Sequence, residues 1–350
     1  MLPQHQIEQT LLPPLQQLEQ ERKEVLSQLQ IATVQSVVGA AVVLIIGFLI
    51  FLVTSQVSNG SFIFVFIITL IITPTLLYII HSQFQTKTKQ LQQQFAGKVK
   101  IEVYQQVFKT WKENSIYMPK KKVPPALFKK SGLYDYFDNY QGDDYVQGKL
   151  EDGRTFQFSE LLVRRKVNSN KQEQDNYETI FKGLFFVLEG PHVLQNLLNP
   201  TVIKPRRQDE YHKKQQQQRK KQLSQSKTAA HKEDILDADF SAALSSKKET
   251  ENSLFDQLFT IVSPEQWTVR RKLSQDFYDH LTHLRAQLRQ QITMSFQKEA
   301  IYIGVNHQFD FWVVNVKESL VSPQRLRYLA WNFSVAFELL ERLAEGTTTE

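Results

Sequence analysis

The sequence predicts an α+β fold: an N-terminal transmembrane helical hairpin followed by a cytoplasmic domain with a mainly antiparallel sheet and packed helices. Three observations predict it. Two long uncharged apolar runs lie close together in the first quarter of the chain. Alternating apolar segments flank turn signals further on. Helix-start signals precede four- and three-residue apolar spacings between and after those segments. Composition narrows the functional classes. The 350 residues leave room for one large or two modest domains. The absence of cysteine excludes a disulfide framework, a thiolate metal site and a cysteine nucleophile. Lysine and arginine number 42 against 36 acidic residues, a net +6 that does not by itself mark a nucleic-acid binder. Forty residues are glutamine, an unusual share for a globular chain.

Residues 1–33 read as an amphipathic helix. Leu11, Leu15, Leu18, Arg22, Val25 and Leu29 make a short heptad seam, a coiled-coil signature with one charged interruption. The seam suits pairing with another chain or with the segment after the second span. The favoured reading is one helix lying on the membrane or on its own domain. Residues 34–80 form the hairpin. Val34 to Val53 and Phe62 to Ile80 carry no charge and no polar stripe, and each spans roughly 28 Å as a helix. Pro74 predicts a kink rather than a break. The connector Thr54 to Ser61 has no lysine or arginine. Arg22 and Lys23 precede the first span, and Lys87, Lys89, Lys98 and Lys100 follow the second. The positive-inside rule then puts both termini in the cytoplasm of a two-span inner-membrane protein. Met1 to Ile31 lacks the basic tip and apolar stretch of a cleavable signal.

Residues 81–203 are read as a stalk helix and a first β-rich block. Leu91, Phe95, Val99, Val103, Val107 and Trp111 recur every four residues. Pro119 to Pro125 is a breaker. Tyr145 to Leu150 and Arg154 to Val167 flank Glu151-Asp152-Gly153, a hairpin signal. Phe156 and Phe158 share one parity and Leu161 and Val163 the other, which predicts a β-bulge near Ser159-Glu160. Ile180 to Leu188 is nearly all apolar and reads as a central strand buried on both faces. Residues 204–233 are a basic, glutamine-rich linker without apolar periodicity, expected to be disordered. Residues 234–345 are a second α/β block of the same domain. Ser263-Pro264-Glu265-Gln266 and Ser274-Gln275-Asp276-Phe277 read as helix starts. Ile292, Met294 and Phe296, then Ile301, Ile303 and Val305, predict a hairpin turning at Gln297 to Ala300, with a third strand over Phe309, Phe311 and Val313. Ser322-Pro323 starts a last helix with Leu326, Leu329, Phe333, Phe337, Leu340 and Leu343 on its core face. Gly346 to Glu350 reads as a polar tail.

Several stretches together resemble an uncharacterised bacterial two-span membrane-protein family, domain-of-unknown-function family 3137. They are Tyr140 to Leu150, Phe156 to Leu161, Ile180 to Val187, Leu254 to Leu281 and Ala300 to Val305, so the resemblance runs over roughly residues 80 to 320 in two blocks. The resemblance implies two spans, a cytoplasmic α+β domain and work beside other membrane proteins. It implies no reaction, cofactor or catalytic residue. The basic linker departs from the family pattern.

Chemistry-bearing constellations are sparse. His280 and His283 are i, i+3 beside Asp279, but without a second ligand pair they read as solvent-facing. Asp143-Asp144 after Gly142 reads as a turn entering a strand. A metal or catalytic role there needs partner carboxylates or a base converging on the pair. Gly183 and Gly304 sit alone inside strands, where a bulge or close packing is expected. No phosphate loop or nucleophile elbow occurs, so no catalytic residue, no metal and no cofactor is expected, and the chain is not read as an enzyme. Lys204, Arg206, Arg207, Lys213, Lys214, Arg219, Lys220 and Lys221 are candidate contacts to anionic lipid. Nucleic acid is disfavoured because the segment has one aromatic, Tyr211. The expected function is a membrane-anchored, non-catalytic binding or scaffold protein that holds a protein partner or itself. The alternative is a lipid-headgroup module built like a small pleckstrin-homology barrel. An enzyme of unknown reaction comes third.

Overall fold

A computed structural model describes residues 2–55, 61–134, 136–167, 176–206, 253–307 and 309–348. The chain divides into two compact units. A helical unit holds Glu8–Gln106 and Val313–Ala330; a sheet unit holds Met1–Ile7, Val107–Trp312 and Trp331–Glu350.

The helical unit is built on two long helices, α1 (Gln4–Ser55) and α2 (Ser61–Val99). Both are long and apolar enough to cross a membrane, and their apolar windows are not buried inside the structure. The amphipathic segment and the first apolar run are one uninterrupted helix, and α2 continues through Pro74. The two helices run antiparallel and in register. Gly39 faces Ile80 and Gly47 faces Thr73, while Lys98 Nζ lies 2.6 Å from the Glu21 carboxylate. A Cβ at Gly47 would meet Thr73 Oγ1 at 3.0 Å, so the glycine lets the helices approach. The heptad seam is buried at Leu11, Leu15, Leu18, Arg22 and Leu29. Arg22 pairs with Glu19 at 2.8 Å and donates to Val316 O, and Glu19 in turn accepts from the Leu320 amide at 2.9 Å. After α2 a π-helical stretch, Lys100–Tyr104, leads into α3 (Gln105–Trp111), so the expected stalk helix exists with one over-wide turn.

The sheet unit carries β1 (Ile116–Met118), α4 (Pro125–Lys130), β2 (Asn139–Lys149), β3 (Thr155–Val167), β4 (Asn176–Glu189), β5 (Thr201–Pro205), α5 (Ser253–Leu258), β6 (Phe259–Val262), α6 (Gln266–Lys272), α7 (Gln275–Leu288), β7 (Gln291–Phe296), β8 (Ala300–Asn306) and, from Trp331 on, the last helix, α8 (Pro323–Glu345). The eight strands form one antiparallel sheet in the order β1-β2-β3-β4-β8-β7-β5-β6. Strands from both sequence blocks therefore share it. β1 and β6 are its edges, so among the described residues it is not the closed small barrel that the lipid-module alternative wants.

Both faces of the sheet are covered. On one, Phe158 and Phe186 pack with Phe108, Trp312, Phe333 and Phe337, and Trp111 stacks on Phe337 at 4.1 Å. On the other, Leu161, Val163, Phe181, Phe185 and Tyr302 pack around Phe128 of α4, with Phe137 and Val123. This double cover explains the parity change in β3. Phe156 and Phe158 serve the first face and Leu161 and Val163 the second, with no bulge in β3 at Ser159-Glu160, where its pairing to β4 is continuous. The bulge sits opposite, in β2 between Asp143 and Val146. Gly183 and Gly304 are close-packing positions: a Cβ on Gly183 would strike Val305 O, and one on Gly304 would meet Tyr134 Oη at 2.5 Å.

Three further local expectations are corrected. Phe309 to Val313 forms no strand; Phe311 and Trp312 are buried in a turn, and Phe309 is exposed. Ser263 does not cap a helix. Its hydroxyl accepts from the Glu265 amide in a turn, and α6 begins at Gln266. The C-terminal tail is pinned rather than free as far as residue 348. Thr347 is fully buried, its carbonyl accepts from the Val193 amide, and its hydroxyl accepts from Arg154. Ser274 caps α7 as expected, accepting from the Phe277 amide at 3.2 Å.

Candidate functional site

The most unusual chemistry lies at the bulge of β2. An extra residue there puts Asp144 in the left-handed region at φ 56°, which aspartate tolerates better than most side chains. Its amide donates to Pro119 O at 3.1 Å, and Tyr117 Oη of β1 donates to its carboxylate. Asp143 pairs across the ladder with Glu160 of β3. Gly142 permits this approach, because a Cβ there would strike Glu160 O. One carboxylate oxygen from each of Asp143, Asp144 and Glu160 consequently lies within 4.8 Å of the other two. Asp144 and Glu160 are buried and Asp143 is half-buried.

His307, immediately after β8, stands beside Glu160. Its amide donates to Lys182 O at 2.8 Å, and its ring packs edge-on against Phe311 at 4.0 Å. Nε2 lies 3.9 Å from Glu160 Oε1, beyond hydrogen-bond reach, and has no hydrogen-bond partner among the described residues. The Phe311 amide donates to both Glu160 oxygens, at 3.3 and 3.1 Å. The nearby Lys182 is engaged by Asp310 at 3.0 Å. Burial, and then the charges of Asp310, Asp144 and Asp143, push the Glu160 carboxyl up to about 8. Burial and then Lys182 lower the His307 imidazole to about 4. Between those values both groups are neutral, so at pH 6 to 7 they do not form an ion pair. Three acids and one imidazole on a shared face can hold a proton or a cation.

The Asp143-Asp144 pair was legible in the sequence, but as a turn. The structure puts it inside β2 and supplies the converging carboxylate. Glu160 and His307 were missed. One signal was available: Glu160 shares parity with Phe156 and Phe158 in a strand that is otherwise apolar inward. The other sequence candidates do not join this cluster. His283 is exposed and His280 half-buried on α7. Lys204 is exposed on β5 opposite Thr260, and Arg206 follows it with its amide donating to Leu258 O at 2.9 Å. Arg207, Lys213, Lys214, Arg219, Lys220 and Lys221 lie outside the described residues, as does most of the expected linker.

Fold and site together define an α+β protein: long apolar helices followed by an antiparallel eight-stranded sheet with an acidic cluster at a strand bulge. Residues 179–345 match the family model described as a protein of unknown function, DUF3137. The match spans most of β4, then β5 to β8 and α8. It includes His307, and it begins after Asp143, Asp144 and Glu160. No curated protein and no solved structure matches the chain.

Proposed function

We propose that the protein is a membrane-anchored, non-catalytic binding or scaffold protein whose sheet unit engages a protein partner, or a second copy of the chain, at the cytoplasmic face of the inner membrane. One observation carries the reading: two in-register antiparallel helices expose long, uncharged, mainly apolar windows, which water would not tolerate and a bilayer would. Both termini are then cytoplasmic, because the basic residues flank the hairpin and its connector has none. The chain has no cysteine, so single-cysteine labelling tests the topology without background. Ser58→Cys should react with an impermeant thiol reagent in intact cells, and Thr348→Cys only after permeabilisation. The reverse pattern overturns the orientation. In-cell crosslinking of the tagged full chain, followed by mass spectrometry, tests the binding role. A stoichiometric partner or a specific dimer is expected. Recovery of the monomer alone contradicts it.

A second reading, contact with anionic lipid, draws on the β5–β6 edge. Lys204 is exposed there, Leu198 and Trp267 are 92% and 82% exposed beside it, and the Leu198 amide donates to Glu265, two residues before Trp267. Flotation of the purified protein with anionic vesicles should fall with added salt if the basic segment is responsible, and with Trp267→Ala if this edge inserts.

A further inference from the structure

We propose that Asp143, Asp144, Glu160 and His307 form a binding site for one divalent transition-metal cation. Two independent observations carry this. The first is the convergence of three carboxylates within 4.8 Å, produced by a backbone bulge and by a glycine that lets β2 and β3 close on each other. The second is His307, which is 6% exposed and whose Nε2 faces the Glu160 carboxylate at 3.9 Å without a hydrogen-bond partner among the described residues. A buried imidazole nitrogen left unpaired forfeits its hydration for nothing unless something binds it. Two donor atoms that share an ion, each at about 2.0–2.2 Å, stand about 3–4 Å apart, and the imidazole–carboxylate spacing is of that size.

The donor set selects the kind of ion. Carboxylates plus one imidazole suit Mn2+, Fe2+ or Zn2+, whereas Ca2+ wants about 6–8 oxygens in a roomier cage. The surroundings are those of a held site. Tyr117 fixes the Asp144 carboxylate, the Phe311 amide fixes Glu160 and the Phe311 ring fixes the His307 imidazole, as outer partners of metal ligands do. Half-buried Asp143 leaves a route in from solvent. A bound cation would also relieve the repulsion among the three acids. The competing account is a Glu160 that simply keeps its proton and binds no ion.

The test uses the full chain in mild detergent, stripped with EDTA, freed of chelator and titrated by calorimetry with Zn2+ and with Mn2+ in a large excess of Mg2+. Zn2+ is the inclusive probe, because a site for Mn2+ or Fe2+ binds it more tightly still. About one ion per chain is expected, with affinity at least about tenfold weaker in Glu160→Gln and in His307→Gln, and unchanged in the distant control Glu178→Gln. Thermal melting checks that each variant is folded. If His307→Gln is not, Asp143→Asn at the rim replaces it with the same expectation. No stoichiometric binding of either ion, or binding that survives Glu160→Gln intact, overturns the site.

Discussion

Arg154 and Glu160 are six residues apart, one leading into β3 and the other in its middle. Both are ionisable and both are buried, at 3% and 7% exposure. The fold treats them in opposite ways. Arg154 is answered on every side: Asp152 at 2.6 Å, Ala344 O at 2.6 Å and Thr347 Oγ1 at 3.1 Å. It ties the β2–β3 turn to the end of α8. Glu160 receives one backbone amide and otherwise faces acids and an unpaired imidazole. Among the described residues no lysine or arginine pairs with it. A buried charge with complementary partners is a structural fastening. A buried acid set among other acids is where a fold gives up local stability, and such places are where ligands are held.

The largest expected effect breaks the fastening. Arg154→Met removes the guanidinium's bonds to the Asp152 carboxylate, Ala344 O and Thr347 Oγ1 and should lower stability by about 3 kcal/mol. Chemical denaturation followed by tryptophan emission would show this as an earlier midpoint, and an unmoved midpoint would mean that the clamp is ornamental.

Next comes the pH response of the other site in metal-free protein. The folded Glu160 carboxyl lies above its ordinary value, so the folded chain holds a proton that the unfolded chain has lost. Its contribution is fully present at low pH and is lost as pH rises through about 8. The His307 imidazole is depressed to about 4, so it acts oppositely, adding stability as pH rises from about 4 to its ordinary 6.5. Above pH 6.5 only Glu160 remains. Stability should fall by about 2 kcal/mol between pH 6.5 and 8, and Glu160→Gln should flatten that slope. A slope that persists in the variant would assign it to another group.

Asp152→Asn should be milder than loss of Arg154. It removes one charged acceptor and keeps the other two, for a loss of about 1.5 kcal/mol by the same denaturation assay. Burial alone would raise the Asp152 carboxyl, but the bonds from Arg154 hold it below the usual range. This contribution therefore stands at neutral pH and is lost as pH falls below about 4. A variant as stable as wild type at pH 7 would show that Thr347 and Ala344 suffice. The smallest effect is Asp310→Asn. Asp310 is exposed and makes a surface pair with Lys182, so stability should move by less than about 0.5 kcal/mol in a thermal melt. A large shift would place Asp310 inside the cluster rather than at its rim.

What was legible in the sequence follows from what each element needs. The two long apolar helices announce themselves because their apolar runs carry no charge and no polar stripe. The hairpins at Glu151-Asp152-Gly153 and Gln297 to Ala300 are local, with turn chemistry between alternating strands. The Ser274 cap and the Ser322-Pro323 helix start are local too. Phe309 to Val313 misleads because its alternation fits a strand, yet β8 is flanked by β4 and β7 and leaves no free edge beside it. The β3 parity change misleads because one strand serves two cores. The cluster stays hidden because its members come from β2, β3 and the end of β8, joined by tertiary pairing that no short window contains. Thr347 reads as tail for the same reason, since Val193 and Arg154 hold it from elsewhere.

The most direct measurement is the stability of the purified full chain from pH 6.5 to 8, once with EDTA and once with saturating Zn2+. The cation-site account predicts a fall across that window in EDTA. With Zn2+ it predicts a flat or rising curve, because an ion that requires ionised Glu160 removes the penalty of ionising it. Two parallel falling curves, with and without the metal, would contradict it.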